Sequence, residues 1–248
     1  MPSPAEVARD HAALRRRLGA AVAGEAARLW GEVDPGRIGP SWLRMLPRLL
    51  LVLIGAQTAA AGQADRYLEA VLDAQGIDPA GVGSVVPSAL AGVASDGRDL
   101  SDLLYQPAIR ALSGIKGGAS VEQALAGGGA GLDMIVRTQV ADAGRVADQV
   151  ATVARRQATG YVRMLVGGGC DRCAILAGRR YGWSAGFQRH PRLPVATACT
   201  FRRVRTLRTT LGRTRSSTSL ACLRLSRTAC SRGQAPRRSG RARTSPRW

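Results

Sequence analysis

A chain of 248 residues, 45% hydrophobic but only 4% aromatic, can bury a core of ordinary size, and its Ala, Leu and Val content reads as mainly α. The net charge of +19 does not mark the whole chain as nucleic-acid binding: 14 arginines and no acid lie between Arg202 and Trp248, leaving 22 basic against 17 acidic residues elsewhere. Five cysteines, an odd number behind a start at Met1–Glu6 that lacks signal-peptide character, do not describe a secreted disulfide scaffold.

Ser3-Pro4-Ala5-Glu6 reads as a helix start, with a Ser cap, Pro in the first turn and Glu three residues after the Ser. Val7, His11, Leu14, Leu18, Val22, Glu25 and Leu29 then mark one helix face, on which His11 is expected at the core edge and Glu25 at a polar end or in a pair. Asp34-Pro35-Gly36 stops this helix. A second is expected from Ser41, kinked or restarted at Pro47 and continuing past Leu68 and Leu72 to about Gly76. Its most apolar run, Leu49 to Ala56, falls well short of the roughly 20 residues of a membrane span and reads as a buried helix segment.

Gly76 to Gly97 is rich in Gly, Pro, Ser and Asp and is expected to hold loops around one short helix. Ser101-Asp102 opens a helix running toward Ile115. Gly117-Gly118 and Gly127-Gly128-Gly129 are expected to punctuate a short segment as hinges. A long helix from about Gly131 to Thr159 follows, its apolar stripe formed by Leu132, Ile135, Val136, Val140, Ala143, Val146, Val150 and Val153. Tyr161 to Val166 is the best strand candidate.

Directly after Gly167-Gly168-Gly169 comes Cys170-Asp171-Arg172-Cys173. Two thiolates at this spacing can share a tetrahedral zinc, and the glycines permit the tight turn required. His190, followed by Pro191, is a third candidate ligand. A redox reading of the pair wants a βαβ context that the preceding helices do not supply, and two buried reduced cysteines with a surface histidine remain the plain alternative.

The run from Cys170 through Gly178, Tyr181, Trp183, Gly186 and Phe187 to His190-Pro191-Arg192 resembles the signature of Mu F-like phage head proteins, most closely the version in phages of GC-rich actinobacteria. The resemblance covers about 25 residues. It implies a virion structural protein, a minor head component acting in head morphogenesis near the portal by contact with portal and capsid proteins, located in the virion head and in host cytoplasm during assembly. Cys170, Cys173 and His190 would then be remnants of a zinc site that stabilises its module, with Tyr181, Trp183 and Phe187 packed over the cysteine turn.

The chain departs from that pattern where a Cys-x-Cys should follow His190-Pro191. It reads Leu193-Pro194-Val195-Ala196-Thr197-Ala198-Cys199, after which acids and periodicity vanish. A shifted frame in GC-rich DNA produces such a composition, and the use of 35 arginines with the single lysine Lys116, beside so much Ala and Gly, points to GC-rich coding DNA. Reading Val195 to Arg203 one frame over, with permitted third bases, can spell Cys-Asp-Cys-Val-His-Ile-Pro-Ala. Residues after about Arg192 are therefore read as an out-of-frame tail, which makes Cys199, Cys222 and Cys230 accidental and the metal site weak or lost, with Cys199 the only candidate fourth ligand.

The expected architecture is a helical body over 1–160, an irregular α+β Cys/His module over 161–192 and a disordered Arg-rich tail over 193–248. The tail is expected to touch nucleic acid only nonspecifically, since it lacks aromatics between its arginines. No phosphate loop, His-Glu-x-x-His or Gly-x-Ser-x-Gly motif occurs, so no catalytic role is expected. Two other readings stay open: a zinc-dependent nucleic-acid-binding protein, and a non-functional prophage remnant.

Overall fold

In the computed structural model, which describes residues 1–166, 174–183 and 185 and the backbone of 198–203, the chain is mainly helical with a small antiparallel sheet. Residues Met1–Thr206 form one compact unit. Five α-helices, α1 (Pro4–Gly31), α2 (Ile38–Ala61), α3 (Ala64–Asp73), α4 (Leu100–Lys116) and α5 (Val121–Val153), precede strands β1 (Gly160–Val166), β2 (Arg180–Gly182) and β3 (Ala198–Arg203). A short 3-10 helix, Pro87–Leu90, is the one helical turn in the loop region between Gly76 and Gly97.

α1 begins where the sequence signals it. The Ser3 amide donates to Glu6 Oε2 at 2.7 Å and the Glu6 amide to Ser3 Oγ at 3.3 Å, a reciprocal cap of a kind that contributes about 1 kcal/mol. Glu25 is paired, with Arg28 at 2.8 Å and with Arg48 of α2 at 3.1 Å. Leu14, expected on the core face, is exposed.

α2 starts three residues before Ser41, because Gly39-Pro40 fits a first turn that needs no proline N–H. Ser41 Oγ instead accepts from the Asp34 amide at 3.0 Å, fixing the α1–α2 turn. The helix runs through Pro47, which sits on the exposed side where the carbonyl left without a donor can meet solvent. The continuous helix expected to Gly76 is broken at Gly62–Gln63, where Gly62 lies 3.6 Å (measured to an ideal Cβ) from Pro87 Cγ of the 3-10 turn. Ile38–Asp73 is the one helical stretch among the described residues long and apolar enough to cross a membrane. In the apolar run, Leu49, Leu53 and Ala56 are buried while Leu51 is 74% exposed, so burial is confined to one face.

α5 packs against α1, α2, α3 and α4. A Ser120–Gln123 capping box starts it, and Gly118, at φ +92°, ends the preceding α4. The expectation that Gly127–Gly129 interrupts the chain is corrected: all three lie inside one 33-residue helix. They have a packing role. A Cβ on Gly128 would stand 2.6 Å from Trp30 Cζ2 and 3.0 Å from the Pro107 carbonyl oxygen, and one on Gly129 would stand 3.0 Å from Trp30 Cδ1. The helix also ends earlier than Thr159, and Val146, Val150 and Val153 face outward, the last 61% exposed. The buried stripe continues instead through Ala143, Gly144, Ala147 and Ala151.

β1 coincides with the expected strand and lies at the centre of the order β2-β1-β3. It pairs antiparallel with both neighbours, Tyr161 opposite Tyr181 and Leu165 opposite Cys199. Within 193–248, expected to lack structure, Ala198–Arg203 forms β3; the other residues of that stretch are outside the described residues.

Two neighbouring glycines should respond oppositely to alanine. Gly127 has nothing within 4 Å of a Cβ, so Gly127→Ala should raise stability by about 0.5–1 kcal/mol. Gly128→Ala should lower it by about 1–3 kcal/mol by forcing the Trp30 ring aside. Thermal unfolding of both variants checks this, and equal shifts of one sign would contradict the packing role.

Candidate functional site

The sequence-predicted ligands Cys170, Cys173 and His190 lie outside the described residues, as does Phe187. Cys199 is placed by its backbone only, in β3 beside Leu165, five residues before Cys170 in the chain. Among the described residues no group of three His, Cys, Asp or Glu side chains could hold a metal ion.

Several of the buried polar side chains tie helices to one another or to the loop between α3 and α4. At the first centre, His11 is 8% exposed and stacks on Tyr67 of α3, with ring centroids 3.9 Å apart and planes within 1°. Its Nε2 lies 3.4 Å from Asp148 Oδ1 on α5. Arg15 donates to the same oxygen at 2.7 Å and to the Gly144 carbonyl at 2.6 Å. A Cβ on Gly144 would stand 2.7 Å from the Arg15 guanidinium, so this contact too depends on a glycine of α5. His11 was expected at the core edge; the structure puts it inside, joining three helices.

Burial lowers the His11 pKa below its ordinary 6.5, against the hydrogen bond and charge of Asp148 and with the help of Arg15. For Asp148, burial pushes upward, but the charge of Arg15 and the contact with His11 hold the carboxyl below the ordinary 3.8.

A second centre surrounds Arg155, just after α5. Its guanidinium donates to Asp65 at 2.8 Å, Glu69 at 2.8 Å and the carbonyls of Pro79 and Ala151, while Asp65 also accepts from the Val85 amide. In a third, Gln57 bonds Gly92 and Val93, and Gln139 bonds Ser95, clamping that loop between α2 and α5. These groups fix geometry through partners from distant parts of the chain, although the buried His11 Nε2, beyond its 3.4 Å contact with Asp148, and Arg15 Nε have no hydrogen-bond partner of their own.

Two outward surfaces differ from this pattern. On α2, Leu43, Pro47, Leu51, Gly55 and Ala59 recur every four residues as an exposed stripe. On the β1–β2 hairpin, Tyr161 and Tyr181 stack with centroids 5.4 Å apart, and Trp183 beyond them is 53% exposed. A groove of about 360 Å³ lies along the same strand, lined by Val162, Arg163, Met164, Leu165, Ala177 and Gly178. Sequence reading singled out Tyr181 and Trp183 but missed Tyr161 as their neighbour. Only the strand register reveals that pairing.

No family model, curated protein or solved structure matches the chain.

The sign of the His11 effect on stability follows from its lowered folded value. The unfolded chain takes up the proton first as pH falls, so the contribution is intact above about 6.5 and declines below it. Asp148 adds a loss only in the more acidic range, below its ordinary 3.8. Urea midpoints should therefore fall between pH 7.5 and 5, and His11→Gln should flatten that slope. An unchanged slope in the variant would count against the assignment.

Proposed function

We propose that the protein is a structural component of a phage head, a minor head protein of the Mu F-like type that acts in head morphogenesis by contact with portal and capsid proteins. The observation that carries this reading is the run Cys170 to Arg192, in which paired cysteines, a Gly-ended small-apolar stretch, aromatics and His190-Pro191 follow in the family's order. The helical body supports it in a general way: its buried polar groups brace the helices, and the α2 stripe is left outward for a partner. The role is one of assembly and not catalysis, in the virion head and, during assembly, the host cytoplasm.

Zinc would be held by Cys170, Cys173 and His190 and would brace the module between β1 and the residues after β2. The backbone position of Cys199, next to the end of β1, supports its candidacy as fourth ligand. With the usual Cys-x-Cys missing, binding is weak.

Identifying portal and capsid genes beside this one, and coexpressing their products with it, tests the assignment. The intact chain should copurify with one of them, and Leu43→Asp combined with Leu51→Asp should abolish this without changing the unfolding temperature by more than a degree or two, as is usual for exposed positions (about ±0.5 kcal/mol). Neighbouring genes that encode no portal or capsid protein would sink it. Zinc content after gel filtration should be well below one per chain, and Cys170→Ser should remove what remains. Metal retained by that variant would refute the ligand set.

A further inference from the structure

The hairpin that follows the helical body gathers aromatic rings and one arginine on one surface, with a second arginine on the opposite face of its edge strand β2. Tyr161 and Tyr181 stand opposite each other across β1 and β2 with their rings stacked, 14° from parallel. The Arg179 guanidinium carbon lies 5.8 Å from the Tyr181 ring centroid, and Arg180 is exposed on the next residue. Trp183 follows β2 directly. Trp30 and Trp42 are buried, each with its indole N–H on a carbonyl, whereas Trp183 keeps half its surface open.

This surface is held in place. The Arg163 amide donates to the Arg179 carbonyl at 2.9 Å and the Gly178 amide to the Arg163 carbonyl at 2.8 Å, closing the turn before β2. The Tyr161 hydroxyl donates to the Ala185 carbonyl and so ties down the chain on either side of Trp183. No acidic residue lies between Asp148 and Asp171 or anywhere after Asp171, so the strands themselves supply no carboxylate against Arg179, Arg180 and the exposed Arg156.

From this arrangement we infer that the β1–β2 hairpin is a binding face for single-stranded nucleic acid, with Trp183 and the tyrosine pair stacking on bases, Arg179 meeting phosphates beside the rings and Arg180 meeting them around the open edge of β2. Aromatic platforms beside cations on a small antiparallel sheet suit this ligand because every unpaired base offers a flat face and every linkage a charge. A duplex hides its base faces, and an acidic peptide has no succession of flat rings to stack. The inference needs neither the metal nor the head-protein reading, and it places binding on the hairpin instead of the arginine tail.

The test uses the full chain carrying Trp248→Phe, which leaves Trp183 as the exposed indole beside the buried Trp30 and Trp42. Titration with an oligothymidylate of about 12 nucleotides, a length within the range one small domain covers, is followed by indole emission and by anisotropy of a labelled copy. Emission should fall in step with binding. Trp183→Ala should weaken binding about tenfold while Trp183→Phe restores most of it, and Arg179→Gln with Arg180→Gln should make the salt dependence shallower. Anisotropy that rises with no change in emission and the same affinity in Trp183→Ala would assign binding to the tail and overturn the inference. So would equal quenching by a duplex of the same length, or no binding at low salt.

Discussion

The contact between the Trp30 indole and the bare backbone at Gly128 and Gly129 sets the geometry of the helical body. Trp30 reaches this position from the end of α1, meets Trp42 of α2 edge to face at 4.9 Å and donates its N–H to the Leu125 carbonyl at 2.9 Å. The Pro107 carbonyl of α4 closes on the same glycine. Four helices therefore converge where α5 has no side chain. In a chain with few aromatics, two of them placed here provide much of the bulk that an Ala-rich core otherwise lacks.

A second glycine on the same helix serves a polar contact. Gly144 makes room for Arg15, which binds the Gly144 carbonyl and Asp148 and so brings the carboxylate within reach of His11. The small-residue face of α5 is thus two things along its length: an apolar seat for Trp30 near its start and a socket for a buried ion pair near its end. Both demand close approach of α1, and each would be blocked by a methyl group. Buried charges of this kind add little net stability, since desolvation offsets much of their attraction.

The features legible in the sequence were those decided locally. The Ser3 cap, the turn at Asp34–Gly36, the loops after Gly76 and the β1 strand all depend on residues within a few positions of one another. Glycine at 127–129 could not be read the same way, because whether it breaks a helix or seats a tryptophan depends on a partner almost 100 residues away. The valines after Ala143 misled for a related reason. They continue an apolar period, yet the core at that end takes alanine and glycine, which let α1 and α3 come close. At the candidate site, the Cys-x-x-Cys pair and His190 were visible as residue types, whereas the Tyr161–Tyr181 stack exists only through the register of two strands.

The hairpin's position also follows from the end of α5. Arg155, two residues past the helix, is gripped by Asp65 and Glu69 of α3 and by the Pro79 carbonyl, so the chain leaves the body at a fixed point five residues before β1 begins. Met164 packs on the smaller core beside Tyr67 and Leu68, and Arg16 of α1 donates to the Val166 carbonyl at 3.2 Å. β1 is consequently anchored at its start and finish to helices that the glycine contacts have already placed. A surface built on such a strand keeps its aromatic spacing because the residues flanking β2, Gly178 and Arg179 on one side and Ala185 on the other, are bonded back to Arg163 and Tyr161. Precise spacing matters to a stacking platform, and an arginine-rich tail without aromatics between its cations has no means of providing it.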